Sequence, residues 1–346
     1  MDVVDRDLWN SLHPDVAGKI LKCLDDPGDI VRASSVSRAW REFVISNGVS
    51  KHLCLRLFPQ LSSITRVVDT GNKQQHKCSD VGCSRCAELE QLKLEHRVFA
   101  SLYRGLTSSE VVECLLDALG ASSTDNYPKE SVDNTLEPRD RIGRMASYWS
   151  SSGQSNPDVS ERLTYELVPE SWVITEINIQ PFQAFFQAHS PIYSAKAVRF
   201  RMGYRKWRDY DEILKEEEED GDFSNSCRGL PFDDEDFVWT YTSKEFPMAQ
   251  ENRLQNFKLP EPVLFTGGFV QIELLGRVQR QELDGLFYIR VAYVQIIGRP
   301  LALVFHITPL EPSGTYSMMF NPAADYWRPR DYPYELTHNP RHGANA

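Results

Sequence analysis

The sequence predicts a multidomain α + β protein: an N-terminal helical unit, a short helical connector and a C-terminal antiparallel β-sandwich. Three observations carry this prediction. In the first sixty residues apolar side chains recur every three or four positions, as in Val16, Ile20 and Leu24 with Leu21 beside them, which is the period of an amphipathic helix. From about Arg141 to Leu310 the period changes to two, which is that of half-buried strands. Between them, residues 121–140 (ASSTDNYPKESVDNTLEPRD) hold almost nothing to bury and read as a linker. The 346 residues are enough for two domains of ordinary size. The expected division is 1–60 helical, 61–120 a polar Cys-containing segment with a helical connector, 121–140 linker, 141–310 sandwich with an acidic insertion at 209–236, and 311–346 a Pro/Tyr-rich tail expected to be partly disordered.

The helices are expected as follows. Pro14 suits a first helical position, where its missing N–H costs nothing, and Asp15 suits the positive end of the helix dipole. Asp25-Asp26-Pro27-Gly28 is a turn, and Asp29 can cap a second helix carrying Ile30, Ala33, Val36, Trp40, Phe43 and Val44 as far as Asn47-Gly48. Ser50 opens a third, SKHLCLRLF, stopped by Pro59. Helical periodicity returns with Leu89, Leu92, Phe99, Leu102 and Tyr103. Thr107 and Glu110 have capping-box spacing, predicting a further helix through Val111, Leu115 and Leu119 that Gly120 closes.

Strands are predicted where Val173, Thr175, Ile177 and Ile179 alternate with Ile174, Glu176, Asn178 and Gln180, where Val198, Phe200, Met202 and Tyr204 alternate with Arg199, Arg201 and Gly203, and where Val270, Ile272 and Leu274 alternate with Gln271 and Glu273. LTYEL, FVWTYT, LFYIRVAYVQII and LALVFHI add further candidates. Seven or eight strands without intervening helices favour an antiparallel sandwich over a parallel α/β sheet.

Charge and composition exclude several classes. Residues 209–236 carry 13 acidic and 2 basic residues, so this segment alone accounts for the net charge of −11 and the rest is neutral. A domain that grips DNA by neutralising phosphates would need a basic surplus, which argues against nucleic acid as a partner. The acidic run itself reads as a solvated loop. No run of about 18 apolar residues exists to span a membrane. An odd count of seven cysteines, with an acidic opening MDVVDRDLWN, argues for a reducing compartment, cytoplasm or nucleus.

Leu12-His13-Pro14-Asp15-Val16, then Ile20-Leu21 and Leu24, an Asp-Pro turn, Ile30, Val36-Ser37-Arg38-Ala39-Trp40-Arg41 and LCLRLFP resemble an F-box over about residues 8–58. His13 stands where the family more often has proline, Asp15 where it has Glu, and Ser37 where Cys is frequent. None of these removes an apolar anchor. The resemblance implies the substrate-recognition subunit of an SCF-type E3 ubiquitin ligase, without catalysis of its own, docked on the Skp adaptor and through it on a cullin. Leu12, Pro14, Val16, Ile20, Leu21, Ile30 and Val36 would be the adaptor-binding residues. The apolar stripe is richer than a fifty-residue core needs, and a partner's surface is a natural place for the surplus. Trp40 is expected in the core under either reading.

Ala146-Ser147-Tyr148-Trp149-Ser150-Ser151, followed by LTYEL and WVITEINIQPF, looks like the opening of a discoidin or galactose-binding-like jelly roll. An F-box ahead of such a sandwich is similar to plant-type F-box proteins. The protein substrate and the substrate-binding residues stay unknown at this stage, and a lectin-like glycan-binding module with a structural helical N-terminus is the alternative. Tyr148 and Trp149 are expected in the core rather than as a sugar platform. Arg199 to Arg208 interleaves five basic residues with aromatics; the bland reading is a strand with a solvated Arg face neutralised by the acidic insertion.

His76, Cys78, Cys83 and Cys86 form H-x-C-x4-C-x2-C, with Cys114 as a conceivable fourth thiolate for a cluster. All four lie within eleven residues, without separation into two ligand pairs, and Cys114 falls on a predicted helix, so no metal and no cofactor is assigned. No nucleophile elbow, H-E-x-x-H, phosphate loop or dinucleotide fingerprint occurs, and no catalytic residue is assigned.

Overall fold

The computed structural model describes residues 12–71, 84–206, 237–310 and 314–324. Its first four helices are α1 (Pro14–Lys22), α2 (Pro27–Val36), α3 (Arg38–Ser46) and α4 (Val49–Leu57). Pro14 takes the first position of α1, as expected. Asp26, not Asp29, caps α2 by accepting from the Gly28 N–H at 2.7 Å. The expected second helix is two helices. Ser37 is extended and its Oγ accepts from the Trp40 N–H, which ends α2 and starts α3.

After a 3-10 turn, β1 (Ile64–Asp69) and the 25-residue α5 (Ser84–Ser108) follow. Leu94, Val98, Leu102 and Leu106 are buried at four-residue spacing, with Phe99 and Tyr103 beside them. Among the described residues no helix is long and apolar enough to cross a membrane. Between α4 and α5 the Ser50 hydroxyl meets His96 Nδ1 at 2.9 Å. Burial holds the His96 pKa below its ordinary 6.5. The unfolded chain therefore binds the extra proton first, and stability is lost as pH falls below about 6.5. Urea midpoints measured at pH 7.5 and 5.5 are expected to separate in the wild type and to converge in His96→Gln.

The helix expected from Thr107 to Gly120 is absent. Thr107 lies in the last turn of α5, its hydroxyl bonded to the Tyr103 carbonyl. The chain then turns directly into β2 (Val112–Glu113) and β3 (Leu115–Ala121). Residues 121–140 are not a linker either. They hold a 3-10 turn at Val132–Leu136 whose Val132 and Thr135 are buried, with the Thr135 hydroxyl 2.8 Å from Tyr165 Oη.

The sandwich is built from β2, β3, β4 (Glu161–Leu167), β5 (Ser171–Gln183), β6 (Ala195–Arg205), β7 (Phe237–Thr242), β8 (Gln255–Thr266), β9 (Phe269–Arg277) and β10 (Arg290–Pro300). One sheet runs β7-β6-β9-β4-β3 and the other β8-β5-β10-β2, and every pair along both is antiparallel. Leu163, Tyr165, Phe200, Met202, Val270 and Ile272 of the first face Trp172, Ile177, Ile179, Val294 and Ile296 of the second in one core. Trp149 is fully buried there, as expected, and its Nε1 donates to the Ser123 carbonyl.

Two more strands close the structure. The tail supplies β12 (Thr315–Phe320), which lies between β1 and β11 (Phe305–Leu310), parallel to the former and antiparallel to the latter. Within the tail that was expected to be partly disordered, residues 315–320 form this strand, while 325–346 lie outside the described residues. This small sheet packs with α1–α5 in a second core that also takes Val173, Leu264 and Leu301 from the sandwich side. A bulge in β5 makes that possible. Pairing with β10 slips between Ile297 and Gly298, so Ile174 and Ile177 both face the sandwich interior while Val173 turns to the helices. The helical unit and the sandwich therefore share buried side chains and do not hang on a free linker.

Candidate functional site

Two surfaces stand out. The first lies on α1 and α2. Ala17 and Leu21 face the core, whereas Val16 (45% exposed) and Ile20 (48%) lie one helical turn apart on the outside. Val31 (53%) and Val36 (61%) are exposed on α2, and Pro14 is exposed at the start of α1. Four exposed apolar side chains on two short neighbouring helices are more than the scattered single residues expected of an ordinary surface. Of the residues expected to contact an adaptor, Pro14, Val16, Ile20 and Val36 are thus free to do so. Leu12 is half-buried and packs on the helical core. Leu21 and Ile30 are corrected to core positions, at 3% and 2% exposure, because their period points them at α4 and α5. Val31, next to Ile30, was missed: the family-like spacing drew attention to its buried neighbour.

The second surface is a cavity of about 880 Å³ at one end of the sandwich, within the size range of small-ligand sites. Six segments form it: the loop at 125–130, Tyr148, the stretch at 186–193, Gln250, the loop at 279–283, and Arg290 at the start of β10. Arg290 is 4% exposed. Its guanidinium carbon sits 4.2 Å from the ring centre of Tyr193, 5.3 Å from Tyr288 and 5.5 Å from Tyr148, within the range of cation–π attraction. Nε donates to Ser150 Oγ and Nη2 to Gln281 Oε1. Tyr148, stacked on Phe182 at 3.9 Å, donates to Glu130 Oε1 at 2.6 Å. Burial and the Glu130 hydrogen bond raise the Tyr148 pKa, so it stays a phenol. Burial, reinforced by the Glu130 charge, also raises the Asp125 carboxyl against the pull of Arg290.

The lip is strained. His189 (φ 62°) and Ser190 (φ 45°) are left-handed without being glycine, a conformation that costs energy and is held by its surroundings. Exposed apolar residues stand around the mouth, with Phe186 at 54% and Leu283 at 92%. No motif announced this cavity, since its parts lie up to 165 positions apart in the chain. Only Tyr148 was considered beforehand, and it is buried, as expected, while lining the cavity.

The remaining sequence features resolve as follows. Arg199 pairs with Glu273 on the neighbouring strand, and Arg201 sits 4.6 Å over the Trp239 ring and donates to Gln271. The Arg face is thus neutralised by its own sheet; Trp207, Arg208 and the acidic insertion lie outside the described residues. So do His76, Cys78 and Cys83, while Cys86 is exposed on α5. Cys114 is buried between β2 and β3, not on a helix, its thiol donating to the Ile296 carbonyl and pushed by burial up to about 12. That thiol is no ready metal ligand, and among the described residues no cluster could hold a metal ion.

Comparison with known proteins bears on both halves. The F-box-like family pattern matches residues 9–56. F-box protein At4g00755 of Arabidopsis thaliana is 49% identical over 314 residues, covering 90% of this chain and 81% of the relative. The C-terminal region resembles discoidin-like galactose-binding folds. A family 32 carbohydrate-binding module of Clostridium perfringens solved with galactose is 10% identical at a TM-score of 0.30, covering 54% of this chain and 99% of that one. An F5/8 type C domain of Bacteroides fragilis is 10% identical at 0.31, covering 56% and 94%, and allantoicase of Saccharomyces cerevisiae is 12% identical at 0.35, covering 62% and 55%. The sandwich itself is established by its strand pairing, and by its sequence kinship along nearly the whole length the chain belongs to the F-box protein family.

Proposed function

We propose that the chain is the substrate-recognition subunit of an SCF-type ubiquitin ligase, acting in the cytoplasm or nucleus. It docks on the Skp adaptor, and so on a cullin, through Pro14, Val16, Ile20, Val31 and Val36, and captures a protein target at the loop end of the sandwich. It is a non-catalytic adaptor: ubiquitin transfer is accelerated by proximity, since holding target and charged enzyme on one scaffold raises their effective concentration. The observation that carries this reading is the exposure of Val16, Ile20, Val31 and Val36 on the segment that matches the F-box-like pattern. The core shared through Val173, Leu264 and Leu301 supports it further, because a stiff junction holds a captured target at a set distance from the docking face.

The test is capture by purified Skp adaptor. Val16→Asp with Ile20→Asp places two charges at exposed positions, so folding is retained. Each is expected to cost about 2 kcal/mol of binding, and together they weaken it roughly a thousandfold. Undiminished capture by the folded double variant refutes the docking face. A lectin-like module is the second reading, favoured by the mixture of Arg, Gln and carboxylate groups with aromatic rings in the cavity. Glycan-array binding without adaptor binding would select it.

A further inference from the structure

Among the described residues two arginines are buried in the sandwich, and they differ in one respect. Arg277 has a carboxylate, Glu161, against its guanidinium. Arg290 has no carboxylate in hydrogen-bond contact, Asp125 acting on it only at a distance: its partners are a serine hydroxyl, an amide oxygen and three tyrosine faces, and its Nη1 is buried without a hydrogen-bond partner. Buried charges are ordinarily paired, because an isolated one keeps its full desolvation cost. A second orphan belongs to the same cavity. Glu130 accepts from Tyr148 through Oε1, and its Oε2 is buried with no donor. The Tyr148 ring connects the two, carrying Arg290 against its face and Glu130 at its hydroxyl. Arg290 and Glu130 both line the cavity, which therefore holds a cation short of an acceptor and a carboxylate short of a donor.

We propose that this cavity captures the free C-terminal carboxylate of a protein target, with the carboxylate on Arg290 and the amide N–H of the last residue on Glu130. A guanidinium is well matched to a carboxylate in charge and in donor geometry. A chain terminus carries its carboxylate and its amide N–H on one α-carbon, whereas an Asp or Glu side chain carries the acid one or two carbons further out. The preceding residues leave across Phe186 and Leu283, which supply an apolar rim. Asp125 and Glu282, which also line the cavity, favour a basic side chain upstream. Capture of a terminal carboxylate is an established mode of peptide recognition. The inference names the target class for the receptor role proposed above and rests on that reading.

The probe is a random heptapeptide library immobilised by its N-termini, presented to the full chain once with free C-terminal carboxylates and once amidated. The expected result is selective binding of a subset of free acids, weakened at least about tenfold by amidation. Arg290→Lys keeps the charge but loses the planar fork and is expected to abolish that discrimination. Glu130→Gln keeps the acceptor for Tyr148 and is expected to weaken the same peptides several-fold. Should Arg290→Lys fail to fold, the comparison of acid with amide on the wild-type protein decides alone. Equal binding of acid and amide overturns the proposal. So does binding set by internal Asp or Glu whatever the terminus, binding of monosaccharides only, or no peptide bound by the folded chain. The same preparations are tested for Skp capture: adaptor binding retained without carboxylate discrimination removes the terminus proposal and leaves the receptor role standing.

Discussion

Arg277→Met is expected to destabilise the sandwich by about 3–5 kcal/mol, because it leaves Glu161 as a buried, uncompensated carboxylate. The side chains of Arg277 and Glu161 are 0% and 3% exposed. The guanidinium donates from Nε to the Val159 carbonyl, from Nη1 to Ser151 Oγ and the carbonyls of Ser152 and Phe287, and from Nη2 to Glu161. Glu161 in turn accepts from the hydroxyls of Ser122 and Ser123. Four segments distant in sequence are thus tied at one point. Removing both charges is the informative control: Arg277→Met with Glu161→Leu is expected to recover much of the loss, since an apolar pair carries no desolvation cost. Chemical denaturation measures both. A loss under about 1 kcal/mol, or a double variant no better than the single, would contradict the account. The network also reaches the cavity, for Ser151 Oγ accepts from the Ile289 N–H next to Arg290. A second expected consequence is therefore weakened capture at the loop end before the sandwich unfolds.

What the sequence made legible, and what it hid, follows from how each burial pattern arises. Val198, Phe200 and Met202 line the core at strict alternation because β6 pairs with β9 there without interruption. Helix α1 was equally plain, since Pro14 and the spacing of Val16, Ile20, Leu21 and Leu24 agree. Residues 112–121 misled for a definite reason. Register shifts between Leu115 and Asp117 and between Ala118 and Gly120 bury Leu115 and Ala118 three positions apart. Two bulges thereby give a strand the spacing of a helix. Residues 121–140 read as a linker because their anchors are polar. Thr135 and Ser131 are buried through hydrogen bonds that no hydropathy pattern shows. The docking face was legible only as a stripe, since α1 is apolar on both sides and the sequence does not say which side the rest of the chain covers. Leu21 went inward and Ile20 outward at adjacent positions. The cavity was invisible because β10 brings Arg290 not only to Tyr288, two residues before it, but to Tyr148 and Tyr193 from two distant places in the chain.

Met318→Asp is expected to have the largest effect on the helical half, although it lies almost three hundred positions from the docking residues. Met318 is fully buried in β12, the middle strand of the small sheet, opposite Val67 on one side and Ile307 on the other. Both neighbours are themselves buried and belong to the core that holds Leu21, Ile30, Val98 and Phe99. An aspartate there has no cation within the apolar cluster to pair with, and burying an unpaired carboxyl is expected to cost more than about 4 kcal/mol. The sandwich core is a separate cluster and should survive. Limited proteolysis is therefore expected to cut within residues 12–108 while the spans from β2 to β6 and from β7 to β10 resist. Capture by the Skp adaptor is expected to fail with Val16 and Ile20 unchanged. Met318→Leu, which keeps the apolar volume, is expected to retain both properties. Intact protease resistance and adaptor binding in Met318→Asp would show that the helices fold without β12. In that case the docking face and the cavity would be free to move against each other, and the fixed spacing on which the receptor's geometry depends would have to come from elsewhere.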